Sequence, residues 1–221
     1  MQRAQIEVQL LEACRRLAAK GFFNTPRNSF SLRLPGAREM ILACGLEAWR
    51  RIGIADLETA SLLAREGLSG LHASIYQARL DAGAVAISSP RSAGRLAAWD
   101  GLLPPLFDEQ VRRLGLSAGP LPDEAEAHGE MLRQTFRRGA NAALLGDRLL
   151  CLGMTSERVL FNTELYEKCA RAYVIARASG GRIRCIPRWV QLIANRRLLK
   201  DERRAAASYR NGHIPDGINS Y

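Results

Sequence analysis

LHASIYQARLDAGAVAISSPRSAGRLA, residues 71–97, decides the fold. The segment SGLHASIYQAR (69–79) follows a serine and reads as a short helix. AGAVAISS (82–89) is an unbroken run of small and apolar residues, the pattern of a buried strand. Pro90 suits the opening of a second helix that runs to about Trp99. A buried strand between two helices implies a layered α/β protein.

Upstream, Ile6, Leu10, Cys14 and Leu17 recur at helical spacing within residues 4–20, and Gly21 marks the stop. Phe30, Leu32 and Leu34 alternate with Ser31 and Arg33, Pro35-Gly36 turns the chain, and Met40–Cys44 returns as a second strand. Downstream, residues 100–122 are rich in Gly, Pro and Leu and read as loop. PDEAEAHGEMLRQTFRRG (122–139) opens with acids and closes with arginines, which matches a helix dipole. ANAALLGDRLLCLG (140–153) reads as a hairpin turning at Gly146-Asp147. Thr155 or Ser156 caps a long helix to Ser179, with Leu165, Cys169, Ala172 and Ala176 as its apolar stripe and Gly180-Gly181 as its end.

The chain has 221 residues, 47% hydrophobic and 24% charged, enough for one sizeable core and unlike a disordered chain. No uncharged apolar stretch approaches the roughly 18 residues of a membrane span. Charges at Arg3, Glu7, Glu12 and Arg15 break any signal-peptide core, so a cytoplasmic location is expected. Five cysteines without a CxxC pair argue against a disulfide framework. The net charge is +10; of 32 basic residues only Lys20, Lys168 and Lys200 are lysines, leaving 29 arginines. Such a balance fits an acidic partner or a solvated arginine-rich surface.

The order of elements and three blocks resemble the class II aldolase/adducin family over roughly residues 6–180. The blocks are ACRRLAAKGFFNTPRNSFSLRLP (13–35), the 71–97 segment, and RGANAALLGDRLLCLGMTSERVLFNTELYEKCARAYVIA (138–176). The resemblance implies an αβα sandwich with a central, mostly antiparallel sheet, and a homo-oligomer, commonly a tetramer. It further implies a divalent metal, usually zinc, held by three histidines. Two come from a His-x-His at the end of the central strand, the third from an Asn-His-Gly-like turn in the final hairpin.

Against that pattern, the His-x-His positions fall on Ile87, Ser88 and Ser89, and Arg148 stands where the third histidine belongs. Ile cannot ligate a metal, neutral Ser is a poor ligand, and Arg is a permanent cation. No metal and no other cofactor is therefore expected. The family's acid/base glutamate, four residues before His72, is Leu68 here, with Glu66 nearby. Phosphate-binding serines beside it become Glu66 and Gly67, and a carboxylate repels phosphate. The family's Thr-Gly phosphate loop reads Cys44-Gly45, and its Asn-Phe-Ser string reads Ser29-Phe30-Ser31 with Asn28 one place earlier.

The ligand-binding candidates are thus Ser29, Cys44, Gly45, Ser88, Ser89 and Arg148. Two hydroxyls and a guanidinium can hold a carboxylate or phosphate. The structural alternative is that Arg148 fills the old pocket and pairs with Asp147 or Glu66. Cys44 is a nucleophile only if arginine lowers its pKa, and no local base supports that. His72 reads as structural, His128 as a surface residue, and His213 or Tyr221 as tail residues able to reach a neighbouring subunit.

Residues 1–181 form the aldolase-like part and 182–221 a basic helix with a polar tail; Asp201 and Glu202 are the only acids between Arg182 and Arg204. That run is a solvated basic face, a packing helix or, less readily, a nucleic-acid surface. The leading expectation is an aldolase-like protein with a degenerate metal site, non-catalytic and acting in binding or assembly with a protein partner. The alternative is a lyase-type enzyme with metal-free chemistry on an anionic small molecule.

Overall fold

A computed structural model describes residues 2–116, 119–123, 129–136 and 139–215. Helix α1 (Gln2–Ala19) leads into strands β1 (Ser29–Arg33), β2 (Glu39–Cys44) and β3 (Glu58–Ser61). Helix α2 (Gly67–Ala78), strand β4 (Ala84–Ser88) and helix α3 (Arg91–Ala97) follow, in the order read from residues 71–97. Then come α4 (Asp108–Leu114), α5 (Gly129–Phe136), β5 (Ala142–Leu145), β6 (Arg148–Gly153), α6 (Ser156–Ala178) and α7 (Arg188–Arg210). The six strands form one sheet in the order β3-β2-β1-β4-β6-β5, with every neighbouring pair antiparallel.

The sheet is covered on both faces, giving the expected αβα sandwich. Alternation along each strand sends side chains to opposite layers. Phe30, Leu32, Ala84, Ala86, Leu149 and Cys151 join α1, α3 and α6 in one apolar cluster. Val85, Ile87, Leu150 and Leu152 join α2 and α5 in the other. Both faces of β4 and β6 are buried, which explains why their sequences are continuous apolar runs. A fully buried side chain such as Phe30 contributes on the order of 2 kcal/mol.

Two segments correct the sequence reading. Residues 100–122 contain α4, whose Asp108, Glu109, Arg112 and Arg113 follow the helix dipole and whose Gly115 (φ 78°) closes it. The flanking Gly, Pro and Leu hid those seven residues. The short polar edge strand β3, sequence ETAS, has no apolar alternation to announce it. The helix read over 122–139 is described only from Gly129, and the placements expected for His128 and Tyr221 lie outside the described residues.

The basic C-terminal run folds as α7 and packs on α4. Ala194, Leu198, Asp201, Glu202, Ala205 and Tyr209 face inward, while Arg196, Arg197, Lys200, Arg203 and Arg204 are exposed. The inward acids meet buried cations. Glu202 Oε1 lies 2.7 Å from Arg79 Nη2, Arg79 is bidentate to Asp81 (2.8 and 2.7 Å), and Arg112 pairs with Asp201. At the end of α7, Tyr209 Oη donates to the Met154 carbonyl at 2.7 Å, directly over Gly83. A Cβ at Gly83 would sit 1.7 Å from that oxygen, so only glycine permits the approach.

Candidate functional site

Sheet register gathers the candidate residues at one edge of the sandwich. Ser29 lies opposite Cys44 on one side and Ile87 on the other, and Ser88 lies opposite Leu149. The C-terminal ends of β2 and β4 and the starts of β1 and β6 therefore meet. Gly45 follows at φ 70° in an exposed turn, where an added Cβ would meet nothing within 4 Å. Ser89 is half-buried just beyond β4.

Arg148 is the central side chain here. It is 1% exposed, an unusual depth for a guanidinium, and it is already engaged. Its Nη2 donates to Asp123 Oδ1 at 2.8 Å and its Nη1 to the Arg27 carbonyl at 3.0 Å. Arg27 bridges the same Asp123 (3.1 Å) and reaches Asp147 at 3.4 Å. Two arginines and two aspartates thus close over the start of β6. Its carboxylate partner Asp123 is neither Asp147 nor Glu66, the two acids named from the sequence. Asp123 precedes α5 by several residues, and nothing in its local sequence ties it to residue 148.

The serines are committed to the fold as well. Ser88 Oγ is buried and donates to the Leu149 carbonyl at 3.4 Å. Ser89 Oγ accepts from Asn28 Nδ2 at 2.8 Å. The other end of Asn28 staples the preceding turn: its Oδ1 accepts from the amides of Asn24 (2.9 Å) and Thr25 (3.0 Å). Asn28 is fully buried, so this one side chain fixes the turn and orients Ser89 together.

Ser29 belongs to a second, drier network. Strand alternation puts Ser29 and Ser31 on one face of β1, and helical spacing puts His72 and Tyr76 on one face of α2. Ser29 Oγ lies 2.8 Å from His72 Nε2, and Ser31 Oγ lies 2.7 Å from Nδ1. Tyr76 Oη donates to the Ser31 carbonyl at 3.1 Å and sits 2.9 Å from Ser31 Oγ. All four side chains are buried. Burial pushes His72 down to about 3, so the imidazole is neutral near pH 7 and both ring nitrogens are occupied by hydroxyls. Nothing in the sequence analysis pairs these residues; the i, i+2 serines and the i, i+4 His-Tyr spacing are the signal that could have done so.

Cys44 is half-buried, and its Sγ–H donates to Glu58 Oε1 at 3.4 Å. Burial and the adjacent Glu58 carboxylate push the thiol up to about 12. It is a thiol near pH 7 and a poor nucleophile. At the family's acid/base position, Leu68 packs against the apolar cluster of the α2 face, while Glu66 is exposed before the first turn of α2.

The residues at the metal positions do not fit a metal ion. Ile87 packs among Val85, Leu150 and their neighbours, Ser89 is held by Asn28, and Arg148 is a permanent cation inside an ion cluster. Among the described residues, no three His, Cys, Asp or Glu side chains gather into a group able to hold one. His213 is exposed on the segment after α7.

Known proteins share this architecture. The Class II Aldolase and Adducin N-terminal domain matches residues 8–174. An L-fuculose 1-phosphate aldolase superposes with a TM-score of 0.76 at 17% identity, over 88% of this chain and 96% of that one. An aldolase II superfamily protein from Pseudomonas syringae gives 0.68 at 20% identity, over 95% and 96%. An L-fuculose-1-phosphate aldolase from Thermus thermophilus gives 0.66 at 20%, over 83% and 100%. No curated protein sequence matches the chain. No helix among the described residues is long and apolar enough to cross a membrane. The sheet order, the two helical layers and the family match over residues 8–174 together establish that the chain belongs to the class II aldolase/adducin family.

Proposed function

We propose that this chain is a class II aldolase-fold protein without a catalytic metal, acting in binding or assembly rather than in carbon–carbon bond cleavage. The observation that carries the reading is the ion cluster of Arg27, Asp123, Asp147 and Arg148 at the start of β6. A retro-aldol step that does not run through a Schiff base needs an electrophile, such as a Lewis-acid metal, to stabilise the enediolate that forms. It also needs a proton-transfer group near the departing carbon. At the corresponding positions here stand an aliphatic side chain, a hydrogen-bonded serine, a salt-bridged arginine and a leucine.

A metal-free lyase is the competing reading. A guanidinium can stabilise an oxyanion, but Arg148 already carries Asp123 and the Arg27 carbonyl. Cys44 is held as a thiol against Glu58 and supplies no nucleophile. The geometry therefore favours the non-catalytic reading. As the resemblance implies, the protein is a homo-oligomer, and its partner is a second copy or another protein.

The test is purification after expression with zinc, iron and manganese, followed by elemental analysis and an assay with ketose 1-phosphates, L-fuculose 1-phosphate included. The expected result is substoichiometric metal and no aldehyde release above the uncatalysed rate. Stoichiometric metal with lyase turnover would overturn the reading.

A further inference from the structure

A cavity of about 620 Å³ opens at the ends of β1, β4 and β6 opposite to those that carry Ser88 and Arg148. It sits where Leu32 and Arg33 end β1, Gly83 precedes β4 and Met154 follows β6. Its size falls within the range of small-molecule sites. Ile6, Leu32 and Phe161 give it apolar walls, and Tyr209 and Ile214, from the end of α7 and beyond it, close one side.

Four guanidinium groups line this cavity, from Arg16, Arg33, Arg113 and Arg158, against the carboxylates of Glu109 and Glu157. Several are positioned by their neighbours. Arg33 lies 5.4 Å from the Tyr209 ring centre and donates to the Leu80 carbonyl at 3.3 Å. Arg113 lies 5.6 Å from the Phe161 ring centre, and Arg16 pairs with Glu164 at 3.0 Å. The stem of Arg158 crosses Gly153, where a Cβ would stand 2.8 Å from its Cγ. The first turn of the 23-residue α6, capped by Thr155, forms another part of the lining, and its leading amides add positive potential.

We propose that this cavity is a binding site for a small organic anion: a carboxylate or phosphate monoester carrying an apolar, preferably aromatic, body. The oxyanion sits among Arg113, Arg158 and the start of α6, and the body lies against Phe161 and Leu32. Arg guanidinium groups suit this because they bind oxyanions through forked N–H donors and stack on rings. Crowding supports the same conclusion. Burial first, then the like charges of Arg113 and Arg112, hold Arg158 down to about 10, with Asp201 pulling the other way, so positive charge is concentrated here. The site is remote from the β6 ion cluster, and the proposal stands or falls separately from the non-catalytic reading.

Titration calorimetry with phenyl phosphate, benzoate and inorganic phosphate tests it. Saturable binding of phenyl phosphate or benzoate is expected, at least tenfold tighter than inorganic phosphate and weakening as salt rises. Arg158→Gln and Arg113→Gln should each weaken it tenfold or more, and Arg158→Lys should retain most of it. Ile214→Trp, made at a surface position, should abolish binding by filling the cavity while leaving the circular dichroism unchanged. Arg27→Gln, at the opposite strand ends, should leave it unaltered. Absence of saturable binding to the unmodified protein, binding of inorganic phosphate as tight as phenyl phosphate, or binding that survives Ile214→Trp would overturn the proposal.

Discussion

Arg148 is the residue on which the proposed reading of the site turns. A guanidinium buried to 1% exposure requires a counter-charge, and Asp123 supplies it from the far side of the hairpin. Because Asp123 is itself largely exposed, its removal should cost a moderate amount, about 1–3 kcal/mol, rather than the full penalty of a stranded buried pair. Arg148→Met should offset most of that loss in the double variant, which a double-mutant cycle of urea unfolding reads as positive coupling. His72 makes a pH prediction. Its folded pKa lies near 3, below the unfolded value near 6.5, so the unfolded chain binds the extra proton between those limits. Stability from this group is complete above about pH 6.5 and is lost as pH falls towards 3, at about 1 kcal/mol per pH unit. His72→Gln should flatten that slope in chemical unfolding followed from pH 7 to 4. Ile87, Ser89 and Leu68 drew attention in the sequence because the resemblance assigns those positions a chemical role. The partner of Arg148 was not legible there, since a long-range ion pair between residues 123 and 148 leaves no local pattern.

At the scale of elements, α7 ties the basic C-terminal run to the aldolase-like sandwich through charges that face inward. Arg79 is buried and satisfies Asp81, Glu202, Asn141 and the Ala140 carbonyl together. Burial pushes Glu202 up to about 7, and the neighbouring Arg79 pulls against that shift. Arg79→Met would leave two acids facing each other in a dry site and should cost about 3–5 kcal/mol. Hydrogen exchange should then show amides of α7 losing protection before those of β4. Gly83→Ala should act at the other end of the same helix by expelling Tyr209 from the Met154 carbonyl. The helix existed in the sequence as apolar residues spread through a basic stretch, but not its orientation. Asp201 and Glu202 look solvent-directed until their partners Arg112 and Arg79 are placed by the fold. Helix α4 was missed for a related reason: its seven residues are too few to outweigh the prolines and glycines around them.

For the whole molecule, the class II aldolase packing is present, and the proposed reading concerns only the side chains where β1 and β6 begin and β2 and β4 end. Continuous apolar strands, the helix–strand–helix centre and the final hairpin were readable because burial imposes periodicity over many residues. A site is read from a handful of side chains whose meaning depends on what they touch. The +10 charge divides in the same way: α7 carries part of it on an exposed face, Arg148 is neutralised in the core, and others converge on the cavity beside α6. Sedimentation velocity should report a homo-oligomer, a tetramer by resemblance, rather than a monomer. The edge that Arg148 occupies decides between a binding protein and a metal-dependent lyase. Its most direct test is titration of zinc into metal-stripped protein at neutral pH, with Ser89→Ala and Asp147→Ala variants beside it. The expected result is no stoichiometric site of micromolar affinity. One zinc per chain, bound tightly and lost in those variants, would contradict a metal-free edge.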